Sequence, residues 1–151
     1  MLKRRLVVIA VFAFFFGLPF FGMLAMYRNI HAVMRASGEK FALKSIDEVL
    51  VKPDWAALED YGTLTLKQNL KKESFNGWMD RFGPFKNVTD LKVTRSWVST
   101  RGDHGWQLVS FTSDARFRNG PATLKITVAR RSVELDEWRI EDFQLLPQTV
   151  E

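Results

Sequence analysis

The sequence predicts an α+β protein: an N-terminal transmembrane helix followed by helices packed on a curved four-stranded antiparallel sheet. Three observations carry this reading. Residues Leu6–Tyr27 contain no charged group and six Phe. Up to Phe82, apolar residues recur at intervals of three and four, the period of a helix with one buried face. From Leu91 onward they alternate, the period of a strand with one buried face. Helices gathered before the strands, rather than interleaved with them, give an α+β chain.

The first element is set by its solvent. A bilayer core of about 30 Å needs about 20 apolar residues in a helix, and Leu6–Tyr27 supplies 22. A cleaved secretory signal has an apolar stretch of about 7–15 residues and a small-x-small site. Here the stretch is longer, and Gly22-Met23-Leu24-Ala25-Met26 is a poor site because Met23 is large. Apolar side chains all round the helix argue against a buried soluble helix. An uncleaved anchor is therefore expected. Lys3, Arg4 and Arg5 directly precede it and keep the tail 1–5 in the cytoplasm; Arg28 and Arg35 oppose this with a sparser charge. Arg4, Arg5, Tyr27 and Arg28 are the expected interfacial anchors. Pro19 removes a backbone donor and is expected to kink the helix. Gly17, Pro19 and Gly22 are either the ordinary Gly and Pro content of a membrane helix or a packing surface for a second one.

Past Tyr27 the helix is expected to continue as a linker over 28–37, with Ile30, Val33 and Met34 on one side and Gly38 a candidate break. Phe41, Ile46, Val49 and Leu50 form the next helical pattern, which Pro53 ends. Asp54 precedes Trp55, Leu58 and Tyr61 and opens a short helix that stops at Gly62. Thr63–Lys72 carries Leu64, Leu66 and Leu70. Ser74 is the expected cap of a helix with Phe75, Trp78, Met79 and Phe82 on one face, stopped by Gly83-Pro84.

The strands follow. Leu91, Val93 and Trp97 alternate, and Arg101–Gly105 reads as a turn. Val109, Phe111, Ala115 and Phe117 alternate up to a turn at Asn119-Gly120-Pro121. Leu124, Ile126 and Val128 alternate next. After a polar joint at Asp136-Glu137, Trp138 and Ile140 hand over to Phe143 and Leu145 with a slip of one residue. Such a slip flips the buried face unless an extra residue absorbs it, so a bulge is expected near Glu141–Asp142. The folded domain is placed at 38–147, with a tail at 148–151.

Charge narrows the function classes. The net charge is +5, and Lys3, Arg4, Arg5, Arg28 and Arg35 account for all of it. The excess flanks the membrane segment, and the rest of the chain is neutral, so no nucleic-acid partner is expected. The absence of cysteine excludes disulfides, thiolate metal sites and cysteine nucleophiles. The two histidines, His31 and His104, lie in different regions, and no metal is expected. No phosphate-binding loop and no nucleophile motif is present, so neither an enzyme nor a cofactor is indicated.

Three stretches carry a family resemblance. They are Ile46-Asp47-Glu48 followed by Asp54-Trp55-Ala56-Ala57-Leu58 and Tyr61, then Phe75–Gly83, then Trp138-Arg139-Ile140-Glu141-Asp142-Phe143. Over residues 38–147 the chain resembles the nuclear transport factor 2-like superfamily of cone-shaped α+β domains, in the style of small membrane-anchored bacterial envelope members. The resemblance implies a cone with helices on the sheet's apolar face. The superfamily includes isomerases, dehydratases and non-enzymatic binding modules. A steroid-isomerase-like member would need a carboxylate base and a donor converging in the cone; Asp114 and Tyr61 are the best of each here.

The remaining candidates are surface groups. Trp55, Trp78, Trp97 and Trp138 fall on inferred buried faces. Trp106 has the opposite parity to Val109 and Phe111 and is the candidate exposed aromatic: either a contact with a partner or the membrane surface, or a ring packed under a loop. Arg116 and Arg118 share a strand face with Asp114: either a solvated face with cross-strand ion pairs, or a surface for an acidic partner. Asn87-Val88-Thr89 is a glycosylation sequon, relevant only in a eukaryotic host. The expectation is a single-pass accessory or assembly subunit of a membrane complex, with lipid and other membrane subunits as partners. It would sit in the inner (plasma) membrane with the domain periplasmic or extracytoplasmic. The alternative is a tethered small-ligand-binding or isomerase-type domain using the cone interior.

Overall fold

A computed structural model of the chain describes residues 18–101, 104–132 and 137–148. The chain divides into two compact units, Met1–Val33 and Met34–Glu151. Helix α1 (Leu18–Leu50) contributes to both. In the first unit its apolar side chains stand exposed: Met23 at 67%, Met26 at 66% and Val33 at 62%, with Leu24, Tyr27 and Ile30 also exposed. The rings of Tyr27 and His31, one turn apart, lie 4.3 Å from each other. Among the described residues no helix is long and apolar enough to cross a membrane. Residues 6–17 of the expected span lie outside the described residues, as do Arg4, Arg5 and Gly17.

In the second unit the same helix has one buried face. Met34, Gly38, Ala42, Ile46 and Leu50 follow one another at four-residue steps, with Val49 three residues after Ile46, and all are buried, the stripe that an amphipathic helix sets against a core. Gly38 does not break the helix, contrary to the sequence expectation. A Cβ built there would lie 3.3 Å from Val128 Cγ2 and 3.5 Å from Val109 Cγ2. At Gly38 the helix rests closely on the sheet, and tertiary packing overrides the weak helix propensity of one glycine. Ser45 turns its hydroxyl inward to Ala42 O at 3.0 Å, so no polar group is stranded.

Three short helices follow. Helix α2 (Trp55–Tyr61) is capped by Asp54, whose carboxylate accepts from Ala56 N at 2.9 Å. Helix α3 (Leu64–Asn69) is capped by the Thr63 hydroxyl. Helix α4 (Lys72–Phe82) starts before the expected cap: Ser74 lies inside its first turn, and the N-cap position is Lys71, which makes no side-chain cap bond. Its exit matches expectation, with Gly83 at φ +70 donating to Met79 O at 2.8 Å. A side chain at that φ is strained, which favours glycine.

The sheet has five strands where four were expected. They are β1 (Phe85–Val88), β2 (Lys92–Arg101), β3 (His104–Phe117), β4 (Gly120–Arg131) and β5 (Arg139–Pro147), all antiparallel. The additional one is β1, which pairs with the end of β3 that β2 leaves open. Its four residues, Phe-Lys-Asn-Val, carry an inserted Lys86 that destroys any apolar alternation. Thr89 and Ser113 staple the joint between β1 and β2, with Ser113 Oγ donating to Thr89 O at 2.8 Å. The expected bulge in β5 is present: Asp142 pairs with Thr127 and Ile140 with Val128, leaving Glu141 as the inserted residue. A bulge at Thr94 corrects the reading of Trp97. It inverts the parity of β2, so Trp97 pairs with Leu108 on the outer face, half-buried under the Arg95 guanidinium 4.6 Å from its ring centre.

The inner face is filled. Phe111, Phe117, Leu124, Ile126, Val128, Ile140, Phe143 and Leu145 from the sheet form one cluster with Met34, Ile46 and Leu50 of α1, Leu58 of α2, Leu66 of α3, and Phe75 and Phe82 of α4. Trp138 closes the cluster beside Ser37, to which its Nε1 donates at 3.2 Å. Replacing Gly38 with Leu drives a branched side chain into Val109 and Val128. Gly38→Leu is expected to lower unfolding stability by about 1–3 kcal/mol, measured by denaturant unfolding followed through tryptophan fluorescence.

Candidate functional site

The inserted residue of β5 organises one margin of the domain. Glu141 is only 8% exposed, a costly place for a carboxylate unless donors reach it. Thr63 is one of these: its hydroxyl donates to Glu141 Oε2 at 2.8 Å. Thr63 Oγ1 in turn accepts from Leu66 N at 3.2 Å, and Thr63 N donates to Ile140 O at 2.9 Å. One threonine thus ties the start of α3 to the bulge in β5. Gly62 beside it bridges Ile140, and a Cβ there would meet Leu66 Cδ2 at 2.8 Å.

Two clefts open along this margin. One of about 590 Å³ is lined by Thr63, Leu64, Trp106, Arg131, Arg139 and Glu141 among others. The second, of about 640 Å³, is lined by residues that include Ser37, Phe41, Asp60, Tyr61 and Trp138. Glu137 and Arg139 line both and pair with each other at 3.0 Å. In the first cleft Arg131 lies over the Trp106 ring, 5.6 Å from its centre. Near the second, buried Arg130 lies 4.6 Å over Trp138 and donates to Gln107 Oε1 at 2.8 Å.

Tyr61 and Asp142 have altered acidities. The Tyr61 hydroxyl donates to Glu48, and this hydrogen bond is the main reason its pKa is raised; burial and the charges of Glu48 and Asp60 act in the same direction. A phenol so held is a weaker acid than a free one. Asp142 also has a raised pKa. Burial is the largest cause and the Glu141 charge adds to it, opposed by the Phe143 backbone bond, the Gln144 amide at 2.8 Å and Lys125.

The residues singled out in the sequence do not gather at one site. Trp106 is half-buried in the first cleft. Asp114 and Arg116 lie at the other end of β3, about 30 Å away at the usual rise per residue. There Arg116 and Arg118 line a groove of about 450 Å³ with Lys86, Asn87, Phe117, Gly120 and Pro121. Asp114 accepts from Gln148 Nε2 at 2.6 Å. Asp114 and Tyr61 are not brought together: Asp114 is exposed on the outer face of the sheet, and Tyr61 packs edge-on against Phe41 of α1. Of the membrane-helix candidates, Pro19 and Gly22 lie in α1, and Gly22 has open space around it. Tyr27 and Arg28 are exposed. Among the described residues no group of three or more His, Asp or Glu is placed to hold a metal ion.

Sequence reading missed Thr63, Glu141 and Lys86. The slip in β5 signals an inserted residue, but not that its carboxylate is buried against a partner 78 positions away. Comparison with protein-family models and with curated proteins gives no match.

Two outcomes follow from this geometry. Thr63→Val removes the cap of α3 and one donor to Glu141, and is expected to cost about 1–3 kcal/mol in denaturant unfolding, with Thr63→Ser recovering most of it. Burial makes folded Asp142 hold its proton more tightly than the unfolded chain does. The stabilisation this gives is complete below the unfolded pKa and is lost as pH rises through the folded one. Asp142→Asn is therefore expected to raise the Tm at neutral pH and to leave it unchanged near about pH 3, in thermal scans across that range.

Proposed function

We propose that the chain is a single-pass, membrane-anchored accessory or assembly subunit that acts by protein binding. The observation that carries this is the exposed apolar surface of α1 before Met34, where Met23, Leu24, Met26, Tyr27, Ile30 and Val33 all face outward. It continues the uncharged run Leu6–Gly17. A helix apolar on every side gains free energy in lipid and loses it in water. In this reading Lys3, Arg4 and Arg5 hold the N-terminus in the cytoplasm, and the unit from Met34 is periplasmic or extracytoplasmic at the inner membrane. Membrane lipid and other membrane subunits are the partners, with Gly17, Pro19 and Gly22 the packing surface on the helix.

Binding through the surface is supported over the rival use of an interior cavity. Phe75, Phe111, Ile126 and Phe143 are almost fully buried in one cluster. They line neither of the two marginal clefts nor the groove at the other end of β3. The likeness to the nuclear transport factor 2-like cone is part of the same proposal; it is supported by helices that precede the strands and pack on the inner face of a curved antiparallel sheet. A filled cone of that type suits a binding module better than an isomerase.

Purification of the full chain from its native membranes in a mild detergent is expected to bring a second membrane protein with it in stoichiometric amount. Migration as the chain alone, at the mass of one or more copies with nothing else, would defeat the accessory reading.

A further inference from the structure

The groove at the far end of β3 differs from the two clefts in its electrostatics. Lys86, Arg116 and Arg118 line it, and no acidic residue does. Among the described residues none of the three has a carboxylate within ion-pair distance. The one nearby acid on the same strand face, Asp114, is bonded to Gln148. Three like charges lining one groove, with Asp114 the nearest counter-charge but in ion-pair contact with none of them, repel one another, and an anion entering the groove relieves that repulsion.

The backbone builds this convergence. Lys86 is the residue that β1 inserts between the pairs Phe85–Phe117 and Asn87–Arg116, and a bulge re-aims the side chain it inserts. Arg118 is held in the two-residue turn between β3 and β4, with its N–H donating to Pro84 O at 2.8 Å. Asn119 fastens the same turn to the end of α4, donating from its backbone to Phe82 O at 3.0 Å and from its amide to Arg81 O at 3.2 Å. Beneath them Phe117 is buried against Phe82 and Phe85, with ring centres 5.3 and 5.5 Å away. The three cations therefore stand on a firm floor, which lowers the ordering cost of a binding partner.

We propose that this groove binds a carboxylate-rich segment of a partner protein. The inference rests on the accessory-subunit reading and names the partner's chemistry. Its shape favours a protein over lipid headgroups. A recess of about 450 Å³ beside the Arg118-Asn119 turn admits the side chains of a peptide more readily than a planar bilayer surface. A patch of three cations on a domain of balanced charge is also too small for the long phosphate track that nucleic-acid binding uses.

The test uses the full chain in nanodiscs of phosphatidylcholine, titrated with a fluorescent octaglutamate peptide. Saturable binding is expected, weakened about tenfold by the double substitution Arg116→Gln/Arg118→Gln and by raising salt from about 50 to about 300 mM. The double substitution Lys52→Gln/Lys71→Gln removes the same charge elsewhere and is expected to leave binding unchanged. No saturable binding, or equal loss in both double variants, overturns the proposal. So does binding to phosphatidylglycerol vesicles, lost in Arg116→Gln/Arg118→Gln, without binding to the peptide. In native membranes, a partner retained by Arg116→Gln/Arg118→Gln defeats the groove alone, whereas a wild-type chain with no partner defeats the accessory reading.

Discussion

Apolar side chains must leave water, and α1 meets that demand in two different ways along its length. From Met34 to Leu50 it buries one face against the sheet, with Gly38 small enough to let the two approach closely. Before Met34 the apolar residues Met23, Leu24, Met26, Tyr27, Ile30 and Val33 are exposed. An amphipathic stripe satisfies the first half of this demand from within the chain. The second half is exposed apolar surface, which a bilayer would cover in the function proposed above. The remainder of the second unit follows from the first solution: once α1 covers the inner face, α2, α3 and α4 fill the rest of it, and the strands take their register from which side must be dry.

Three inserted residues then set what the surface presents. Regular strands would send every second side chain to the same face. Lys86, Thr94 and Glu141 interrupt that rule in β1, β2 and β5. The first adds a cation to Arg116 and Arg118. The second turns Trp97 outward beneath Arg95. The third buries a carboxylate that Thr63 satisfies, which joins the short helix α3 to the last strand. Bulges of this kind cost ladder hydrogen bonds and are kept where a redirected side chain matters.

Much of the architecture is legible in the residues. The 3.6-residue pattern in Phe75–Phe82, the Asp54 cap, the Gly83 exit and the slip after Ile140 each name a local event that the chain performs. What escapes is what depends on a distant partner. Gly38 reads as a helix breaker because its contacts, Val109 and Val128, are more than 70 residues away. β1 is too short and too interrupted to show a period. Trp97 reads as core because a single inserted residue inverts parity without leaving a mark in hydropathy. Site residues fare worse than elements. Arg116 and Arg118 were visible as a pair on one strand face, but the third cation of their groove comes from a strand that sequence patterning did not find, and Trp106 belongs to the opposite end of the domain.

The second unit thus combines a filled interior with distinct surface features at its two ends, and α1 carries exposed apolar side chains before it. The inner core side chains fill the space between helices and sheet, and the clefts lie at the margins of the unit. All of it depends on where the apolar run resides. Fractionation of cells expressing the full chain, followed by alkaline carbonate washing of the membranes, addresses this most directly. The expected result is full-length protein that stays in the washed pellet and is released by detergent alone. Intact full-length chain in the soluble fraction, without detergent, would contradict anchoring and with it the functional reading built on it.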